Sequence, residues 1–339
     1  MFKRLFVFFI SLFIINLAVA QPYQQTRVLY EKDVQTGAAQ TSQYLPLLKG
    51  KRVAVIANAT SLINKTHLVD TLLALKINIK KIFSPEHGFR GTADAGETVH
   101  SDKDKKTGVT IISLYGKHMK PTQEDLADVD VIVYDIQDVG VRFYTYISTM
   151  SNCMDAAAEF KKTFIVLDRP NPNGYYVDGP VLDPAFKSFL GMHQVPLVYG
   201  MTCGEYAQMV NGEGWLSNKL NCDLKVISVK NYTHFDMYQL PVKPSPNLPN
   251  MKAVYLYPSL GLFEGTIMSV GRGTDFPFQV VGHPDLKNGD FTFTPHPTDG
   301  AKNPKYNGVE CHGHDLRAFA DNYIKDYRQV YLLWLTGTY

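Results

Sequence analysis

Five short apolar runs, each followed by a turn or a helix-like segment, dominate the chain between residues 52 and 170, and this alternation constrains the fold more than any other feature. The runs are RVAVIAN (52–58), IKKIFSP (79–85), TIISLYG (110–116), DVIVYDIQD (130–138) and TFIVLDRP (163–170). All are rich in β-branched and aromatic residues, as buried strands are. THLVDTLLALK (66–76) places Leu68, Leu72, Leu73 and Leu75 near helical spacing, with Thr66 as its expected cap. TQEDLADV opens like a helix, and TYISTMSNCMDAAAEFKK (145–162) reads as one throughout. Strands alternating with helices predict an α/β fold with a Rossmann-like, doubly wound, mainly parallel sheet.

After Pro170 the texture changes. RPNPNGYYVDGPVLDP is a Pro-, Gly- and Asn-rich junction. TCGEYAQMVNGEGWL reads as a helix capped at Thr202, and DLKVISVK as another strand. PVKPSPNLPN cannot be regular structure. The stretch 253–284 reads as short strands between glycine turns. These features divide the chain into a Rossmann-like domain (21–179) and a smaller α/β domain (180–339).

The N-terminal MFKRLFVFFISLFIINLAVAQ has Lys3 and Arg4, an apolar run and Ala18-Val19-Ala20. That is the pattern of an export signal, residues 1–20, cleaved before Gln21, so the expected location is periplasmic or secreted. No later run is apolar and long enough to cross a membrane, so no span is expected in the mature chain. Cys153, Cys203, Cys222 and Cys311 are irregularly spaced, without a CxxC pair, and suit free thiols as well as a bridge.

Each of the five strands ends in polar residues: Asn58 and Thr60; Glu86 and His87; Tyr115 and His118; Asp135, Gln137 and Asp138; Asp168 and Arg169. Open parallel sheets bind ligands outside the carboxyl ends of their strands, so one edge is expected to carry the site. A dinucleotide site wants G-x-G-x-x-G after the first strand, where the chain has NATSLINK. There is no P-loop and no G-x-S-x-G, so no cofactor is expected and acyl transfer is disfavoured. ECHGHD (310–315) offers two histidines, but flanking Asn-Pro and Asn-Gly pairs suggest a loop rather than a metal site. A net charge of +2 with scattered basic residues gives no nucleic-acid stripe.

Carboxylates are the better lead. Glu86, Asp135, Asp138, Glu264 and Asp275 fall at strand ends or glycine turns. Glycosidic cleavage needs a proton donor and usually a second carboxylate. Glu86 stands between a proline and glycines, a frame that is stiff yet lets a ligand approach closely. Phe89, Tyr115, Phe143, Tyr144 and Tyr146 could stack on sugar faces or simply pack the core.

Seven motifs, SPEHGFRG, DIQDVGVRFYTYIST, LDRPNP, VPLVYGMTCGEYAQMVNGEGWL, PSPNLP, YPSLGLFEGT and SVGRGTDFPF, occur in order over most of the chain. Together they resemble the exo-β-N-acetylmuramidase family. The resemblance implies release of N-acetylmuramic acid from the non-reducing end of peptidoglycan fragments, with a muropeptide or disaccharide as substrate and the site in a cleft between two domains. It implies a catalytic role for Glu86. It places Asp135, Asp138, Gln137, Arg142 and Tyr144 at the same edge, where the strand ends themselves bring Asn58, His87 and Arg90 as further candidates for binding. From the second domain it brings Arg272 and Asp275, and the carboxylate reading adds Glu264 as a binding candidate. Asp138 is the next candidate for catalysis, with Asp135 as a further one. Arg142 is the first choice to hold the muramic carboxylate, ahead of Arg90, Arg169 and Arg272. Tyr175 stands where the family pattern suggests a glycine. After CHGHDLRAF the family continues through further helix and strand, whereas here the sequence runs to YLLWLTGTY, so an incomplete second domain is expected. Two other functions remain compatible with these residues: an exported two-domain solute-binding protein and an inactive cell-wall-associated relative.

Overall fold

A computed structural model describes residues 26–89 and 102–338. The expected export signal and Arg90 lie outside the described residues. In chain order the main elements are α1 (Thr41–Leu48), β1 (Arg52–Ala57), α2 (Leu68–Ala74), β2 (Asn78–Ser84), β3 (Asp102–Lys103), β4 (Thr110–Ser113), β5 (Val131–Asp135), α3 (Tyr146–Glu159), β6 (Thr163–Leu167), α4 (Cys203–Gly212), β7 (Asp223–Ile227) and α5 (Met251–Leu260). They are followed by β8 (Val280–His283), β9 (Phe291–Phe293) and β10 (Cys311–Asp315).

Seven strands form one sheet in the order β7-β6-β5-β1-β2-β4-β3. All pairings are parallel except that of β3 with β4. The chain builds outward from β1 through β2 and β4, then returns to place β5, β6 and β7 on the other flank. The order therefore reverses between β1 and β5, which opens a crevice at their carboxyl ends.

Alternation along the strands divides the core between two faces. Val53 and Val55 of β1 and Val131 and Val133 of β5 meet Tyr44 of α1 and Leu68 and Leu72 of α2. Ala54, Ile56, Ile132 and Tyr134 point the other way, onto Met150 and Met154 of α3 and Tyr206 of α4. Both faces are covered, so the central strands β1, β5 and β6 read as continuous apolar runs rather than as alternating ones.

The smaller unit is an antiparallel sheet in the order β8-β10-β9. Val281, Leu316 and Ala320 belong to the same core cluster as the α3–α4 face, so the two units share a core. The junction expected near residue 180 is displaced. Helix α4 and strand β7, residues 203–227, complete the large sheet by pairing β7 with β6.

Several local readings are corrected. Stretch 253–284, expected as short strands, opens with α5 despite Pro258. Proline removes the N–H that would reach the carbonyl four residues back. Here that carbonyl, on Val254, accepts from Asn173 Nδ2 at 3.1 Å, and the same amide donates to Val139 O at 2.9 Å. One asparagine of the LDRPNPNG loop thus replaces the lost helical bond. Helix α2 begins later than expected, capped by His67, whose Nδ1 accepts from Val69 N. Near TQEDLADV, Thr122 and Asp125 exchange capping hydrogen bonds around a turn without a helix. ECHGHD is not a loop, because Cys311–Asp315 is the central strand of the small sheet. The four cysteines are buried free thiols. Among the described residues no helix is long and apolar enough to cross a membrane.

Candidate active site

Glu86 lies just beyond β2, where Pro85 ends the strand. His87 and Gly88 both have left-handed backbone, with φ of 68° and 75°, and Gly88 N bonds Pro85 O at 3.0 Å. Histidine tolerates that region better than branched residues do, and glycine takes it without cost. This tight turn puts Glu86 and His87 into the wall of a cavity of about 530 Å³. Phe143, Tyr144, Thr145 and Tyr146 continue the wall from the segment entering α3. Ser245, Asn247, Tyr257, Glu264, Arg272 and Phe278 close it from the second unit.

The Thr145 hydroxyl donates to Glu86 Oε2 at 2.8 Å. Tyr115 is also bonded to Glu86. Burial first, and then the charge and hydrogen bond of Glu86, push its hydroxyl up to about 12, so it remains protonated at neutral pH. Two hydroxyls from different elements therefore fix the carboxyl group.

Aromatic rings line the rest. Phe143 meets Tyr257 edge-on at 5.1 Å, and Tyr257 meets Phe278 at 4.8 Å. Tyr144 and Tyr146 pack edge-to-face at 4.7 Å and both donate their hydroxyls to Pro244 O. Their polar ends are thus held by the PSPNLP loop. Glu264 and Arg272 form a two-pronged ion pair, Nε to Oε1 at 2.6 Å and Nη2 to Oε2 at 3.1 Å.

The other sequence candidates sit elsewhere. Asp135 is fully buried and forks onto Arg169, at 2.6 and 3.0 Å, so it anchors β5 to the end of β6 rather than lining the cavity. Asp138 lies beneath the cavity wall. Its Oδ2 accepts from Gly140 N at 2.6 Å and from the Tyr199 hydroxyl, and its Oδ1 is buried with no hydrogen-bond partner among the described residues. Burial pushes its carboxyl up to about 6, against the stabilising donors. Asn58 Oδ1 closes its own turn by accepting from Thr60 N and Oγ1. Gln137 spends its amide on the carbonyls of Asp138 and Pro170. The first-choice cation, Arg142, donates to Pro180 O and Val195 O and is not among the lining residues. Asp275 is exposed beside Thr274, Phe276 and His296, in a separate depression. Phe89 packs edge-on against His67 in the core. Thr145, Asn247, Tyr257 and Phe278 line the cavity without having been singled out, although each lies within a quoted motif.

A mainly parallel α/β sheet with an acid and a wall of aromatic rings at its carboxyl edge suits an enzyme of the sugar-cleaving class. Comparison with known proteins agrees. The N-terminal model of Exo-beta-N-acetylmuramidase NamZ matches residues 53–252 and the C-terminal model residues 255–336. Peptidoglycan beta-N-acetylmuramidase NamZ of Bacillus subtilis (strain 168) is 41% identical over 338 residues, covering 93% of this chain and 80% of that protein. Two crystal structures of DUF1343 family proteins from Bacteroides fragilis NCTC 9343 are also similar. One has TM-score 0.84 and 50% identity, covering 90% of this chain and 82% of that one. The other has TM-score 0.73 and 35% identity, covering 83% and 76%. The chain belongs to the exo-β-N-acetylmuramidase NamZ family, and it is a glycosidase. The solute-receptor reading is set aside by this membership.

Proposed function

We propose that the chain removes N-acetylmuramic acid from the non-reducing end of peptidoglycan fragments, with Glu86 as the proton donor. The observation that carries this reading is the carboxyl group of Glu86, held by Thr145 and Tyr115, at the wall of an aromatic cavity. The cavity volume lies in the usual range for small-ligand sites. Thr145 and Tyr115 orient the carboxyl group of Glu86, which carries the proton to be transferred. As the glycosidic C–O bond breaks, that proton passes to the leaving oxygen. Water supplies the hydroxyl that replaces the leaving group on the anomeric carbon, and its other proton returns to the protein. Phe143 and Tyr257 offer apolar faces to the sugar ring and keep bulk water from the bond.

The composition of residues 1–20 supports export, and a substrate derived from peptidoglycan supports a role in cell-wall turnover and recycling in the periplasm or outside the cell. The direct experiment is incubation of the protein with a muramic-acid-terminated disaccharide, with products resolved by mass. Release of free N-acetylmuramic acid is expected. An unchanged disaccharide rejects the reading. N-terminal sequencing of exported material should begin at Gln21, and an intact Met1 there rejects the export assignment.

A further inference from the structure

We propose that Tyr257 reads the 2-acetamido group of the sugar, its hydroxyl donating a hydrogen bond to the acetamido carbonyl oxygen. The inference rests on the muramidase reading above and names a specificity contact within the same cavity.

A buried tyrosine ordinarily finds a hydrogen-bond partner for its hydroxyl. Two other tyrosines of this wall obey the rule, since Tyr144 and Tyr146 both donate to Pro244 O. Tyr257, on α5, does not. It lines the cavity, it is only 7% exposed, and its hydroxyl makes no hydrogen bond among the described residues. Its ring is nonetheless fixed from three sides. Phe143 at 5.1 Å, Tyr144 at 5.9 Å and Phe278 at 4.8 Å all meet it edge to face. A ring held in this way presents its hydroxyl in one place, which lowers the ordering cost of binding.

The surrounding charges select the kind of group that suits this hydroxyl. Burial first, and then the charge of Glu264, hold its proton well above the ordinary tyrosine range, so at neutral pH it is a neutral donor. Glu264 acts on it more strongly than Arg272 does, and Asp138 adds to the negative side. A carboxylate placed on the hydroxyl would meet that negative field, whereas a neutral carbonyl oxygen would not. Glu86, when ionised, also acts on Tyr257, so the hydroxyl lies within reach of the group that protonates the glycosidic oxygen. The acetamido group hangs from C2, next to the anomeric carbon, and an amide carbonyl is a better acceptor than the hydroxyl and ether oxygens of a sugar.

The test is calorimetric binding of two sugars to the wild-type protein and to Tyr257→Phe. One is N-acetylmuramic acid, and the other is the 3-O-lactyl ether of 2-deoxyglucose, which has hydrogen in place of the acetamido group. The wild type should bind the N-acetyl sugar more tightly. Tyr257→Phe keeps the ring and loses one oxygen. It should weaken the N-acetyl sugar roughly 2- to 10-fold, the range of one neutral hydrogen bond, and the 2-deoxy sugar by less than about 1.5-fold. Equal weakening of both sugars, no change in either, or a wild type that binds them alike overturns the proposal. The variant should melt with the wild type, because the hydroxyl holds nothing in the protein. A variant that melts well below it, or does not fold, shows a structural hydroxyl and overturns the proposal as well. Failure of the muramidase reading looks different: the Tyr257-dependent preference for the N-acetyl sugar persists, yet no N-acetylmuramic acid is released from the disaccharide.

Discussion

Thr145 Oγ1 lies 2.8 Å from Glu86 Oε2, and this contact joins the turn after β2 to the start of α3. The two residues are 59 positions apart in the chain. Strands β2 and β5, which carry the chain to them, each flank β1 in the sheet. The sheet therefore sets the distance, and the hydroxyl sets the orientation of the carboxyl group. Thr145→Val keeps the shape and removes the donor. A neutral hydrogen bond is worth roughly 0.5–1.5 kcal/mol, so kcat on the disaccharide should fall about 2- to 10-fold with little change in melting temperature. Unchanged kcat would remove Thr145 from the working site.

The Asp135–Arg169 pair has a different purpose. Both side chains are buried, and Arg169 Nη2 also donates to Leu62 O at 2.9 Å. Asp135→Asn leaves a guanidinium buried without its counter-charge. Breaking such a pair typically costs about 3–5 kcal/mol. Denaturant unfolding should register a loss of that order, and the fraction that remains folded should still cleave substrate. A variant that unfolds like the wild type but has lost turnover would return Asp135 to the catalytic set.

These two carboxylates show what the sequence could and could not reveal. The alternation of strands and helices was legible because both sheet faces are covered and the central strands β1, β5 and β6 are apolar almost throughout. The functional edge was legible because polar residues follow each strand. Which polar residues face the ligand was not, since a strand-end aspartate looks the same whether it holds an arginine below the floor or a sugar above it. Arg142 ranks ahead of Arg272 in the sequence for a related reason: the Pro180 and Val195 carbonyls that engage Arg142 lie 38 and 53 residues away in sequence. The unit boundary was misplaced because β7 returns to the sheet after a long irregular loop. Helix α5 was missed because Pro258 argues against a helix unless Asn173 is known to stand nearby.

Asp138 should leave a signature in the pH dependence of stability. Its folded carboxyl is pushed up to about 6 by burial, from an ordinary value of 3.8. Between those values the folded state holds the proton that the unfolded state has released, so stability from this group falls as pH rises from about 4 to about 6 and is flat above. The total is on the order of 3 kcal/mol. Asp168, also pushed to about 6 by burial, acts in the same direction. His193, pushed down to about 4 by burial, acts in the opposite one. The wild-type profile therefore mixes these groups, and the difference between wild type and Asp138→Asn isolates one. Relative to wild type, the variant should gain stability on going from pH 4 to pH 7. A difference that does not change with pH would place the proton elsewhere.

The strongest test of mechanism concerns Glu86 and the leaving group. Glu86→Gln preserves shape and can still accept from Thr145, but it cannot deliver a proton. General acid catalysis typically contributes about 10²–10⁴-fold, so turnover of the natural disaccharide, whose leaving sugar alkoxide is a poor leaving group, should fall by that factor. An activated aryl glycoside departs without needing the proton, and the loss on it should shrink markedly. A nucleophile, or a base that activates water, gives no such rescue when its own step limits the rate. Near-full turnover of the disaccharide by the variant would show that Glu86 is not the acid, and Asp138 would then be next to test, although its position beneath the wall requires it to act through movement of Tyr199 or the Val139-Gly140 turn. An equal loss on good and poor leaving groups would keep Glu86 essential and assign it a step other than protonation.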